Sequence, residues 1–214
     1  MNTNTEFASA GYTAGQLNAI VKGLKKQAGE DGPEKFLRGE VTVSQPACRW
    51  RELDGVIYFS VTSDGTTGPE WINRLDQKGF RLNQYSKSVL NSVDFKSTTG
   101  VTTEIAVLKG MLFSDENRTT KKIRAEADQR KLGKPNAEVG CLIRENFSDE
   151  QIEAMNLWGI IAMHDPINDS DGDPLLLGAY RDNDGRRLNA YFVSPGHGWD
   201  RGNGFAFAVS QSST

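Results

Sequence analysis

The sequence predicts an α+β protein, with a helical N-terminal unit to about residue 45, a mixed centre and an antiparallel β C-terminal region. Three observations lead there. Apolar residues recur at helical spacing in the first third of the chain. The run Val56-Ile57-Tyr58-Phe59-Ser60-Val61 is nearly continuous and apolar, as a buried strand requires. After residue 156, short apolar stretches alternate with Asp-Gly, Pro-Gly and Gly-rich turns, the texture of an antiparallel meander.

Thr13 with Gln16 three positions on has the capping-box arrangement, and Leu17, Ile20, Val21 and Leu24 follow at helical spacing, which predicts a helix over 13–27. Gly23 sits on it, either at a close-packing point or as a weak spot. Pro33 opens a second, short helix carrying Phe36 and Leu37 and closing at Gly39, and the β-branched Val41-Thr42-Val43 predicts a strand. Residues 44–54 lack a pattern and read as a connector. The strand at 56–61 ends at the turn Ser63-Asp64-Gly65. A helix with Pro69 in its first turn places Trp71, Ile72 and Leu75 on one face and stops at Gly79 after Lys78. Another over 84–91 is expected to bury Tyr85, Val89 and Leu90, and Thr102 to Phe113 reads as a strand with Gly110 at its centre.

Between 118 and 134 the chain turns basic. Arg118, Lys121, Lys122, Arg124, Arg130, Lys131 and Lys134 stand against Glu126 and Asp128, on a helix stopped by Gly133 and Pro135. Asn136 is expected to cap a helix with Val139, Leu142 and Ile143 on one face, and Ser148 with Gln151 forms a second capping box. Strands are expected over 158–163, 174–180, 188–193 and 204–209. These textures divide the chain at 1–45, 55–156 and 157–214, the last two able to form one domain.

Composition removes several function classes. The 214 residues carry 25 basic against 28 acidic side chains, a formal charge of −3, so no broad basic coat exists for nucleic acid or an anionic membrane, although a local patch remains open. No apolar stretch approaches ~18 residues, and the N-terminus has neither a basic n-region nor an apolar h-region. A cytoplasmic protein without a membrane partner is the expectation, with display on a surface or virion left open. Cys48 and Cys141 lie far apart with only His164 and His197 beside them, and no CxxC or HExxH occurs. Both cysteines read as small buried hydrophobes. With neither a P-loop nor a G-x-G-x-x-G, no cofactor is expected.

The acidic run Asp165, Asn168, Asp169, Asp171 and Asp173 has the oxygen ligands calcium favours, but EF-hand spacing fails around both Gly172 and Gly185, and tight turns account for it better. His164 and His197 lack a nucleophile elbow or any local partner signature, so no catalytic residue is assigned. The basic helix could contact phosphates through Lys121, Lys122 and Arg124, although its apolar stripe is thin and a charge run of this kind is usually a solvated face. The C-terminal loops gather Tyr180, Arg181, Asn183, Tyr191, His197, Asp200, Arg201 and Asn203, the rigid aromatics and adaptable polar groups that recognition surfaces use. Trp199, Phe205 and Phe207 are expected in the core.

The segments Trp158 to Ile167, Trp199 to Val209, Thr13 to Val21 and Phe36-Leu37-Arg38-Gly39-Glu40 resemble those of a set of uncharacterised bacterial and phage-associated proteins, a resemblance that implies no activity. Over residues 135–209, a helix, a Trp-bearing strand and short strands ending in Gly-Phe-x-Phe resemble the C-type-lectin-like ligand-display domains of diversity-generating retroelement variable proteins. That resemblance implies ligand contact through the same C-terminal loop residues. The chain departs from the family in lacking its Trp-Ser-Ser element, and Ala206 and Ala208 stand where an arginine would be expected. The resulting expectation is a non-enzymatic recognition module for a protein or carbohydrate ligand. The alternative is a nucleic-acid-associated or phage–host interaction protein acting through the basic helix.

Overall fold

The computed structural model describes residues 14–41, 49–182 and 185–210 and divides the chain into two compact units, Met1–Cys48 and Arg49–Thr214. In the first, α1 (Ala14–Ala28) turns through Gly29 into α2 (Gly32–Leu37), which has a proline in its first turn. Leu24 is buried, whereas Ile20 and Val21 from the predicted apolar face are exposed. A Cβ at Gly23 would meet nothing, so this glycine is a weak spot and not a packing point. The proposed Thr13–Gln16 cap and the strand at Thr42-Val43 fall outside the described residues, as does Cys48.

The second unit is one mixed sheet with helices on its faces. β1 (Arg51–Leu53) and β2 (Val56–Asp64) form a hairpin through Asp54-Gly55, both at positive φ, the conformation a two-residue hairpin turn demands. This corrects the reading of 44–54 as a featureless connector. All three β1 residues are exposed, so no alternation marked the strand. α3 (Gly68–Gln77) starts on Thr67, whose backbone N–H and hydroxyl both donate to Glu70. After the two-residue β3 (Arg81–Leu82), Asn83 caps α4 (Gln84–Asn91) by accepting the Ser86 N–H at 2.7 Å. Val89 and Leu90 are buried as expected, but Tyr85 points to solvent.

β4 (Thr99–Lys109) ends earlier than the predicted strand, because Gly110 starts a 3₁₀ turn. A Cβ there would meet the carbonyl oxygens of Asp200, Arg201 and Asn203 within 2.9 Å, so the neighbouring loop needs a glycine. Then follow α5 (Thr120–Gln129), β5 (Leu132–Gly133), α6 (Glu138–Asn146), α7 (Asp149–Ala154) with the Ser148–Gln151 capping box in place, β6 (Gly159–Ala162), β7 (Ile167–Asn168), β8 (Pro174–Tyr180), β9 (Arg187–Phe192) and β10 (Asn203–Val209).

The strand order is β1-β2-β4-β10-β6-β8-β9-β3, with β5 added to β10 and β7 to β8. β6, β8 and β9 run antiparallel in sequence, as the meander predicted. β10 leaves that progression: it inserts between β4, antiparallel with Phe205 opposite Leu108, and β6, parallel with Phe205 opposite Ile161. The C-terminal strand therefore closes the sheet through its middle.

Alternation sends side chains to two cores. Ile57, Phe59, Val107, Ile160, Leu177 and Leu188 face α3, α4, α6 and α7, around Trp71, Leu75, Val89 and Ile143. Val56, Leu108, Ile161, Leu176, Phe205 and Phe207 face the opposite way, where Ile123 and Ala127 of α5 and the loop residue Trp199 cover them. Each fully buried side chain of this size contributes about 2 kcal/mol. Among the described residues of the second unit, α5 is the one α-helix whose residues enter this second core.

Candidate functional site

α5 is held against the C-terminal loops by its own first turn. The backbone N–H groups of Thr120 and Lys121 donate to the carbonyls of His197 and Pro195 at 3.1 and 2.9 Å, and Trp199 Nε1 donates to Thr120 Oγ1 at 3.0 Å. Just before the helix, buried Arg118 donates to the carbonyls of Gly110 and Phe113, and the Trp199 N–H donates to the Arg118 carbonyl. The basic helix and the C-terminal loops, read as separate candidates in the sequence, thus share one wall.

Ile123 and Ala127 pack onto the sheet, so the stripe Thr120, Lys121, Arg124, Ala125 and Asp128 faces sideways. It borders a cavity of about 610 Å³ whose other walls are Lys134, Asp165, Pro166, Pro174, Val193, Ser194 and Pro195. Lys134 follows β5, and the others come from the loop after β6, the start of β8 and the end of β9, which an antiparallel run places at the same end of the sheet. The size lies inside the ~300–1,000 Å³ range of ligand sites, and prolines, Val193 and Ala125 alternate in the walls with five charged residues, Lys121, Arg124, Asp128, Lys134 and Asp165.

Arg124 is the distinctive group. It is half-buried, and its Nη2 donates to the His164 carbonyl at 2.8 Å. Burial pulls its pKa below the usual arginine value, with Asp165 and Asp128 opposing through space. Asp165 is itself ion-paired to Lys134. Among the described residues no carboxylate makes an ion pair with Arg124 or Lys121.

Beneath the cleft, His164 is buried and both ring nitrogens are engaged: Nδ1 donates to the Asp165 carbonyl at 2.6 Å, and Nε2 accepts the Leu177 N–H at 3.0 Å. Burial pushes its pKa down to about 4. The neutral ring braces the loop after β6 against β8. The acidic run beyond it is turn chemistry, with Asp169 Oδ1 accepting the N–H groups of Asp171 and Asp173 at 2.9 Å each. Among the described residues no group of His, Cys, Asp and Glu side chains is arranged to hold a metal ion.

The predicted basic helix 118–134 is shorter and less basic than its sequence suggested. It spans Thr120–Gln129; Arg118 is consumed as a buried anchor, Arg130 pairs with Glu126 at 2.7 Å, and Lys131 turns the chain at φ 58°. Lys122 remains solvent-exposed and lies outside the cleft lining.

The C-terminal loop candidates separate. Tyr180, Tyr191, His197 and Asn203 gather around Trp199 on the second face: Tyr180 and Tyr191 stack at 5.5 Å, His197 meets Trp199 edge-on at 4.5 Å, and the Tyr180 hydroxyl donates to Asn203 Oδ1 at 2.6 Å. Burial, helped by Tyr191 and Asp200, pushes the Tyr180 hydroxyl up to about 12. Arg181 lies elsewhere, over the exposed Trp158 ring at 4.3 Å and paired with Glu153 at 3.0 Å. Arg201 borders a shallow groove with Met111, Leu112 and Arg118, Asp200 is exposed, and Asn183 lies outside the described residues. Trp199, Phe205 and Phe207 are buried.

Sequence reasoning named Lys121 and Arg124 but missed Pro166, Pro174 and Pro195. Three of the chain's 7 prolines mark successive strand ends at one end of the meander, a signal that was readable once the strands were assigned. The chain matches no protein-family model, no curated protein and no solved structure.

Proposed function

We propose that this protein is a non-enzymatic recognition module whose ligand inserts an apolar group into the cleft between α5 and the loop Val193–Pro195. The observation that carries this reading is the cleft itself, of about 610 Å³, walled by Pro166, Pro174, Val193, Pro195 and Ala125 and edged by Lys121 and Arg124. The cleft takes Lys121 and Arg124 from the basic helix the sequence nominated and Val193–Pro195 from the loop after β9, whereas none of the C-terminal residues nominated for ligand contact lines it among the described residues. His164 fits a bracing role because backbone groups already occupy both its nitrogens. A protein or carbohydrate ligand is accommodated if it presents a compact apolar group.

The test is a fragment screen read by amide chemical shifts. Hits should move residues 120–128, 165–166 and 193–195 together. Ala125→Trp, at a solvent-exposed position on the cleft wall, should abolish them without unfolding the protein. Hits that ignore this variant would overturn the reading.

A further inference from the structure

Resting on that reading of the cleft, we propose that its ligand is an organic carboxylate with an apolar body, held by Arg124 and Lys121. The lining carries three cations, Lys121, Arg124 and Lys134, and two anions, Asp128 and Asp165, so one negative charge on the ligand balances it. Lys134 and Asp165 neutralise each other by direct pairing. What remains is Lys121, Asp128 and Arg124, the last a half-buried guanidinium whose only hydrogen-bond acceptor among the described residues is one backbone carbonyl. Part of that guanidinium is withdrawn from water with no carboxylate hydrogen-bonded to it, and its planar fork suits a two-oxygen acceptor.

The anion is held by side chains and not by the helix terminus, because the first two N–H groups of α5 are taken by Pro195 and His197. Lys121 stands one turn before Arg124 on the same stripe and reaches the same anion. Beyond the charge, the walls offer proline rings, Val193 and the Ala125 methyl, which reward desolvating an aromatic or aliphatic body. A dianionic phosphate fits less well, since the lining has one positive charge in excess and Asp128 repels a second negative charge. The carboxylate could belong to a free organic acid or to a peptide C-terminus, and the two share the recognising chemistry.

The experiment titrates the intact protein with ω-phenylalkanoic acids of increasing chain length, with their matched primary amides, and with short peptides ending in phenylalanine, either free or amidated. Binding is followed by amide shifts at 120–128 and 193–195. At least one acid should bind, with its amide and the Arg124→Gln variant each weaker by about tenfold or more. Lys121→Gln, at an exposed position, should weaken it less and supplies the same test if Arg124→Gln fails to fold. Binding by free acids alone, or by peptides as well, tells the two sources apart. Equal binding of acid and amide overturns the carboxylate while leaving the cleft as the site. Shifts in no member of the panel, or shifts that survive Ala125→Trp, overturn both.

Discussion

The backbone N–H of Leu177 donates to Nε2 of His164 at 3.0 Å, so the middle of β8 depends on that nitrogen keeping its lone pair. His164 is buried, and burial lowers its pKa from 6.5 to about 4. The unfolded chain therefore binds a proton that the folded chain refuses between those values. Stability is fully present above pH 6.5 and declines as pH falls toward 4, by about 3 kcal/mol in all. Urea unfolding of the protein and of His164→Asn across pH 7.5–4 should show this difference in slope. Parallel curves would mean that His164 is not the titrating group.

Arg144 is completely buried in α6 and donates to the carbonyls of Tyr180 at 2.7 Å and Phe147 at 2.6 Å while pairing with Asp149 at 2.9 Å. It fastens α6 to β8 and to the start of α7. Arg144→Leu should lose about 3 kcal/mol, because two carbonyls lose their donor and the Asp149 carboxylate its ion-pair partner. A chemical denaturation midpoint that hardly moves would show that water can replace the guanidinium.

Two glycines should respond with opposite signs to the same change. A Cβ on Gly68 would lie 1.7 Å from the Leu90 carbonyl oxygen, so Gly68→Ala must push α3 off α4 and should cost more than about 2 kcal/mol. Gly23, inside α1 and free of neighbours, should gain about 1 kcal/mol of helix stability on becoming alanine. Calorimetry on both variants checks the pair.

Cys141 lies on the buried face of α6, and burial raises its thiol pKa well above the ordinary value. Alkylation followed by mass spectrometry should leave it unmodified in the native protein and label it fully in denaturant. Rapid native labelling would show that α6 opens readily.

Long, strongly patterned elements were legible because their burial is periodic. The run from Val56 alternates between two cores, Pro174–Tyr180 spans the residues expected, and Ser148 and Gln151 form the cap their spacing announces. β3, β5 and β7 have two residues each, too few to express alternation, and β1 is exposed throughout. The helix at Val139 looked one-faced, yet Glu138 through Arg144 are all buried. Its polar residues are tolerated inside by specific partners, such as the Thr98 N–H on Glu138 at 3.0 Å, and sequence spacing does not reveal such partners.

By itself, the sequence determined the α+β class, the capping box at Ser148 and the strands of the C-terminal meander, because these follow from local propensity and short-range periodicity. The cap expected at Asn136 is absent, and the helix there starts after Ala137 without a side-chain cap. Tertiary structure alone decided that β10 lies between β4 and β6, that Arg118 is spent as an anchor, and that Arg124 meets Pro166, Pro174 and Pro195 around one cleft. Those are contacts between residues tens of positions apart. Their free energy comes from burying surface and satisfying backbone groups across the whole sheet, and no local stretch of sequence contains that information.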